Sequence, residues 1–475
     1  MSSRRKFIKN IALATTSLLA APYISVAGKK TAGGYENVDR LKLGIVGSGL
    51  MGSENMRRFI AKGQTFAALC DVDKAYGIPK GKSLAEKNAP IFTDYREMFS
   101  QMEGKLDGVI IATPDHSHFA AAMCAIKHGF NVYLEKPMCH TLGQIRALRD
   151  FARTKNVITQ MGNQVHSGHG IRIAKEWIAA GVIGNVSEVV MWTCRPLKGC
   201  NRPSMGYKQW PSEKVPETLD WDKWLNVADF GPYSSEIVPL NWRRVYKYGS
   251  GSLGDIGAHI IDVPYTALGL GMPSLITSRQ RGGTEISVPL QDEVIYNFDT
   301  SNQGQKVKLK WYSGFVKPDK NGKWDSYKDY DLSFLPKLPK EYTDTGRGYR
   351  DLSTEDGMFI IGDEGVLYSP TMHLFGKPVV LPKKRTKFAM SVPESEPRIR
   401  YKDHHINFID AICGKVKKAS SDFETAAKLT EIVQLGNLTL RANENIVWDS
   451  ENMVCKGGSA KINSFINPPM RKGWY

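Results

Sequence analysis

The sequence predicts an α/β protein in which a doubly wound parallel sheet is followed by a second α/β domain with a large, mostly antiparallel open sheet. Three observations predict it. Apolar strands alternate with helical stretches between residues 41 and 162, the rhythm of a parallel sheet. A glycine-rich turn joins the first strand to the first helix. Beyond residue 162 come stretches such as Glu293-Val-Ile-Tyr-Asn-Phe298 and Lys306-Val-Lys-Leu-Lys-Trp311, whose period of two marks antiparallel strands. A chain of 475 residues exceeds one ordinary core, so two domains are expected, over 41–162 and 163–475.

Taken in order, residues 41–46 read as a strand, 50–62 as a helix and 65–70 as a second strand leading to Asp71. Residues 108–112 form a third strand, followed by a polar turn and a helix over 119–128. A strand at 131–134 and a helix at 142–154 complete the first domain. The segment 192–248 is irregular and rich in Trp, Tyr, Pro and Gly. Helices are expected at 256–268, 404–411 and 424–440, and no internal repeat is visible.

Residues 1–27 read as an export signal. Ser3-Arg4-Arg5-Lys6-Phe7-Ile8-Lys9 is a twin-arginine pattern, an apolar stretch follows over 11–21, and Ser25-Val26-Ala27 offers a cleavage point. The stretch is too short for a spanning helix, which needs about 20 apolar residues, and no later segment is long and apolar enough. Stable membrane insertion is therefore not expected. A polar linker over 28–40 would follow the signal, and the twin-arginine machinery would deliver the protein to the periplasm.

The formal net charge is +16, but Arg4, Arg5, Lys6 and Lys9 supply four of those charges. The remainder are dispersed, with short runs such as Lys383-Lys384-Arg385, so a solvated basic surface is expected rather than a nucleic-acid footprint. The seven cysteines are scattered and form no CxxC, which suggests neither a zinc module nor a disulfide framework. This suits folding in a reducing compartment before export of the folded protein.

Gly47-Ser48-Gly49-Leu50-Met51-Gly52 follows a strand and opens a helix. In that setting the first glycine permits the tight turn, the second admits a pyrophosphate, and the third lets helix pack on strand. Asp71 lies 19 residues beyond Gly52, where a carboxylate accepts hydrogen bonds from a ribose and repels a 2′-phosphate. NAD is therefore favoured over NADP.

Thr113-Pro114-Asp115-His116-Ser117-His118 follows the third strand, at the sheet edge where ligands bind. It reads as a nicotinamide-pocket wall or a plain turn. No third ligand stands at useful spacing from its His-x-His, so no metal is expected. Lys136, in Glu135-Lys136-Pro137, should project from the next strand's end, since proline holds its predecessor extended. An ammonium there orients a substrate hydroxyl, or serves as a base if burial lowers its pKa. Asp255 and His259 are four residues apart and share a face of an α-helix; one reading is a base and its orienting carboxylate, the other a capped helix with an interior histidine.

These motifs together, with Cys70-Asp71-Val72-Asp73, resemble the Gfo/Idh/MocA family of sugar and cyclitol oxidoreductases. The likeness continues through Met161-Gly162-Asn163-Gln164 and Gly254-Asp255-Ile256-Gly257-Ala258-His259, and covers nearly all of residues 41–440. It implies a Rossmann domain, then an α/β domain whose open sheet often makes oligomer contacts, hence a homodimer or homotetramer. It places Lys136, Asp255 and His259 around the reacting carbon. The cofactor would be held by Gly47, Ser48, Gly49, Leu50, Met51, Gly52, Asp71, Thr113, Pro114, His118, Glu135, Lys136 and Asn163.

The sequence departs from the simplest members of that family over 196–250, an insertion holding Tyr207, Trp210, Trp221, Trp224, Tyr233 and Trp242 with Arg243 and Arg244. Aromatic faces stack on sugars and arginine donors suit hydroxyls; equally, such aromatics anchor a long loop. His166, Trp242 and Arg243 are the substrate-side candidates, with Asp262 as a further contact. The expected reaction is oxidation of a secondary alcohol on a saccharide or cyclitol, with His259 as base, Lys136 polarising the hydroxyl and Asp255 holding His259. Because a periplasm has little free NAD, the cofactor is expected to be tightly held. The rivals are a redox-neutral glycosidase using transient oxidation, and a non-catalytic NAD-binding partner protein.

Overall fold

A computed structural model describes residues 38–195, 210–314, 356–371, 374 and 376–475. The expected signal at 1–27, most of the linker at 28–40, and Tyr207 lie outside them.

Six strands form the first sheet: β1 (Lys42–Val46), β2 (Thr65–Cys70), β3 (Ile91–Phe92), β4 (Gly108–Ile111), β5 (Asn131–Leu134) and β6 (Thr159–Met161). Their order is β3-β2-β1-β4-β5-β6, and every pair is parallel. Helices α1 (Leu50–Ile60), α2 (Gly77–Lys82), α3 (Tyr95–Met102), α4 (Asp115–Lys127) and α5 (Leu142–Thr154) connect them. Every residue of β4 is buried, as a parallel strand covered on both faces requires. The strand order reverses between β1 and β4, which opens a crevice beyond their carboxyl ends.

Two local expectations change. The helix expected from 119 begins at Asp115, whose carboxylate sits in the first turn where the helix dipole favours it. The polar turn is therefore helical, and His116 and His118 belong to α4. The helix expected over 256–268 is three pieces: a π-helical turn (Leu253–Gly257), then Ala258–Ile260 and Asp262–Leu268. A π turn at such a point re-aims side chains relative to α spacing.

The second sheet has nine strands, numbered onward: β7 (Val186–Thr193), β8 (Leu275–Arg281), β9 (Gln291–Phe298), β10 (Val307–Ser313), β11 (Asp356–Gly362), β12 (Val366–Ser369), β13 (Val379–Leu381), β14 (Ile446–Asp449) and β15 (Val454–Lys456). Their order is β13-β12-β11-β7-β10-β9-β8-β14-β15. Among the described residues only β7 with β10 is parallel in this sheet; β9 and β10 pair antiparallel, as their alternation predicts.

The long helix Phe423–Ala442 bridges the sheets. The backbone just before it bonds β6, with Met161 N donating to Ser421 O (2.9 Å), and Glu431 pairs with Arg146 of α5. Among the described residues no helix is long and apolar enough to cross a membrane.

Candidate active site

The crevice at the reversal point is a cleft with about 1200 Å³ of open space, lined by Gly47, Asp71, Thr113, Glu135, Lys136 and Arg243 among others. Its floor is the turn from β1 into α1. Gly47 has φ +81°, and a Cβ there would stand 2.7 Å from the Ala112 carbonyl oxygen. A Cβ on Gly52 would lie 1.8 Å from the Gly47 oxygen, so the turn closes only with hydrogen at both places. Gly49 caps α1 without any side-chain hydrogen bond. The first-turn N–H groups of α1 thus remain for an anion, at the positive end of the dipole. This cradle fits a dinucleotide pyrophosphate.

Asp71 lines the cleft at the end of β2. Its carboxylate accepts from Ser48 N (2.8 Å) and Asp73 N (2.9 Å), while burial raises the carboxyl to about 6. Ser48 is buried and spends its hydroxyl on Gly77 O (2.8 Å). Ser48 therefore backs Asp71 instead of facing the cleft, a correction to its expected role. Lys80 lies 3.1 Å from the Tyr76 ring centroid, and burial lowers its ammonium to about 8.

At the other end, Lys136 Nζ donates to Asp255 Oδ1 (2.6 Å) and to the Asp255 carbonyl (2.7 Å). Asp255 Oδ2 accepts from Arg195 Nη1 (3.1 Å), and Arg243 Nε stands 3.5 Å from Oδ1. Burial pushes the Asp255 carboxyl up, but Lys136, Arg243 and Arg195 outweigh it and hold the group well below the usual carboxylate range. The expectation that Asp255 holds His259 gives way here to a clamp on Lys136. Its cause is the π turn, which presents both the carboxylate and the carbonyl of one residue to the lysine. His259 is buried, 5% exposed, in the next short helix and is not part of the cleft wall.

Other expected residues fall behind the wall. The ring nitrogens of His118 lie 2.8 Å from Pro137 O and 2.9 Å from Thr113 O, so it ties the Thr113 loop to the Lys136 loop without lining the cleft. Asn163 and His166 do not line it either. Asn163 Nδ2 donates to Asp262 (3.0 Å), and His166 Nδ1 lies 2.9 Å from the same carboxylate. Asp262 is thus engaged inside the core, and its expected substrate contact is withdrawn. Glu135 does line the cleft and accepts from Asn55 Nδ2 (2.8 Å). Thr113, Pro114, Leu50, Met51, Trp242 and Arg243 also line it.

The insertion is divided in use. Trp221 stacks on Trp224 (4.7 Å between ring centres), and Trp221 meets Tyr233 edge-on (5.4 Å), in a cluster of its own. Trp242, of the same cluster, reaches the cleft as Trp224 does, with the Arg243 guanidinium 4.2 Å over its ring. Of the wall residues, Tyr76 and Trp474 went unnamed in the sequence reading, Asp115 was read only within its motif and Trp224 only as one of the insertion's aromatics. Asp115 was legible as the first acid after a strand and a proline; Trp474 lies far along the chain and gave no signal.

Fold and cleft together define an α/β protein with an NAD-binding Rossmann sheet and a second, mostly antiparallel sheet. Residues 41–163 match the family model "Oxidoreductase family, NAD-binding Rossmann fold", and residues 171–271 match "Oxidoreductase family, C-terminal alpha/beta domain". Over these residues the chain is similar to the Gfo/Idh/MocA oxidoreductase family that both models describe. It is similar to an uncharacterized oxidoreductase of Streptococcus pneumoniae, 34% identical over 36% of this chain and 44% of that one. A levoglucosan dehydrogenase of Pseudarthrobacter phenanthrenivorans is 27% identical over 48% of this chain and 50% of that one. The chain thus spans about half the length of these relatives. Among solved structures, WlbA dehydrogenase of Bordetella pertussis superposes with TM-score 0.57 at 12% identity, covering 86% of this chain and 99% of that one, which shows the shared fold.

Proposed function

We propose that this protein is an NAD-dependent oxidoreductase acting on a secondary hydroxyl of a sugar, glycoside or cyclitol. The observation that carries the reading is the clamped lysine: Lys136 Nζ, at the end of β5, shares one cleft with the glycine turn and Asp71. Bound there, NAD supplies the hydride acceptor. Gly49, Leu50 and Met51 offer backbone N–H groups to its pyrophosphate, and Asp71 accepts from a ribose.

The chain's own part is to bind the hydroxyl and manage its proton. An ammonium has three donors, and Asp255 takes two of those on Lys136. The third serves a substrate oxygen and polarises its O–H bond. In the oxidation Nζ takes the hydroxyl proton as the amine, whose lone pair then stands where the third N–H of the ammonium would, and the Asp255 carboxylate balances the ammonium that results. Trp242 offers an apolar face to a sugar's C–H surface, and Arg243 offers N–H donors to the sugar's hydroxyl oxygens beside it.

We also infer that the protein is exported through its Arg4-Arg5 signal, carries its cofactor as a tightly held group and works as a homo-oligomer. The test of function is mass spectrometry of the purified protein's cofactor, followed by a panel of sugars and cyclitols read at the reduced-nicotinamide band. A sugar-dependent rise supports net oxidation. Release of aglycone from glycosides without net reduction would replace it with the redox-neutral glycosidase.

A further inference from the structure

The segment Arg471–Tyr475 runs back to the cofactor cleft. Trp474, 4% exposed, is part of the cleft wall together with Thr93, Asp94 and Tyr95, which follow β3. The Arg96 guanidinium lies 4.3 Å from the Trp474 ring centre, and Asp94 fixes that arginine through contacts of 2.9 and 2.5 Å. The backbone is held as firmly. Trp474 O accepts from the Tyr95 hydroxyl (2.6 Å), and Gly473 O accepts from Arg96 Nη1 (2.6 Å). The Tyr475 ring meets Phe119 of α4 edge-on at 5.2 Å.

A second segment reaches the same place. Leu219 of the insertion bridges to Asp73, Lys74 N donates to Thr218 O (2.8 Å), and Asp220 N donates to Val72 O (3.0 Å). This short ladder adjoins Asp71, the ribose-binding candidate, and places Leu219, Lys223, Trp224 and Asn226 on the wall. The two segments are also joined to each other. Arg471 N donates to Val227 O (3.0 Å), Arg471 pairs with Asp222, and Asn226 Nδ2 donates to the Tyr95 hydroxyl (3.1 Å).

We infer that residues 218–227 and 471–475 form a clasp over the adenosine end of the cleft that keeps the dinucleotide from exchanging. The inference rests on the NAD reading above and names the part that governs retention. A purine presents a flat face that suits an indole wall. A ligand beneath two interlocked segments leaves only when one of them opens, and local opening costs the buried contacts it breaks. Affinity gained in this way is expressed in the dissociation rate. Trp474, anchored through Arg471, is the piece that must lift.

The experiment uses the full protein loaded with NAD and challenged with excess isotope-labelled NAD, the bound pool being sampled by gel filtration and mass spectrometry. The wild type should hold its cofactor through the column. Trp474→Ala, and a variant ending at residue 470, should exchange at least about tenfold faster. Arg471→Gln, which leaves the indole in place and breaks a surface ion pair, should also exchange faster and guards against misfolding of the shortened chain. A wild type that retains NAD while all three variants exchange at its rate overturns the clasp alone. A wild type that takes up no NAD overturns the cofactor reading and the clasp with it.

Discussion

Asp255 grips Lys136 twice, its carboxylate at 2.6 Å and its backbone carbonyl at 2.7 Å from Nζ. A side chain alone would leave the lysine free to swing about one contact. Two acceptors on one residue fix the ammonium's direction, and the π turn makes both available. Arg195 and Arg243 then share the same carboxylate, so three cations converge on one anion.

Removal of that anion should be costly. Asp255→Asn leaves Lys136, Arg195 and Arg243 close together without their countercharge, and loss of one partner from a buried ion cluster typically costs about 3–5 kcal/mol. A clear fall in thermal midpoint is expected, with turnover also reduced because Lys136 loses its direction. The pH sense follows from the depressed carboxyl. Its contribution is present above the ordinary carboxylate range and is lost only as pH drops well below it. Unfolding curves between pH 7 and pH 4 should therefore show Asp255→Asn destabilised throughout, whereas convergence of mutant and wild type by pH 5 would contradict the clamp.

Asp71 should show the opposite sense. Burial raises its carboxyl to about 6, so the folded protein holds this proton more tightly than the unfolded chain, and the group's contribution to stability declines as pH rises from the ordinary carboxylate range through 6. Ribose binding prefers the ionised form, so NAD affinity should strengthen as pH rises through about 6. Titration calorimetry with NAD at pH 5 and pH 7 measures it. Asp71→Ser should flatten this dependence and narrow the gap to NADP, because Lys80 lies within electrostatic reach of Asp71 and would remain to meet a 2′-phosphate. A wild type that prefers NADP would contradict the reading of this carboxylate.

The first domain was legible because its signals are local. A strand, a glycine turn and an acid at the end of the next strand lie within residues 41–71, and the backbone realises all three. Lys136 was legible for the same reason, as the end of one strand. What sequence spacing misjudged were relations set by winding and by distant chain. The α-helical face assumed for Asp255 and His259 became a π turn. Asn163 and His166 turned inward because Asp262 supplies the acceptor both require. Trp474 joins a wall that begins at Val46, a contact that no periodicity encodes.

The proposed export rests on residues 1–27 and is tested apart from the fold. Arg4→Lys combined with Arg5→Lys keeps the charge of the basic segment but removes the arginine pair. The precursor of the double variant should accumulate inside the cell, with the loss read by immunoblot of periplasmic and cytoplasmic fractions. Undiminished periplasmic protein would remove the twin-arginine reading.

The chemical step separates Lys136 from His259. Lys136 lines the cleft and carries a free donor, whereas His259 stands behind the wall. Lys136→Ala should therefore lose about 10²–10⁴-fold in turnover, the usual worth of a positioned acid–base group. Bound NAD should remain in this variant, since the glycine turn and Asp71 are untouched. His259→Ala should lose less, because an imidazole outside the cleft acts on the substrate only through its neighbours. Single-turnover reduction of the bound nicotinamide by the identified sugar compares the two variants without interference from cofactor exchange. A His259→Ala defect equal to that of Lys136→Ala would mean that the imidazole reaches the substrate when it is bound, returning the base to His259 and leaving Lys136 to polarise the hydroxyl.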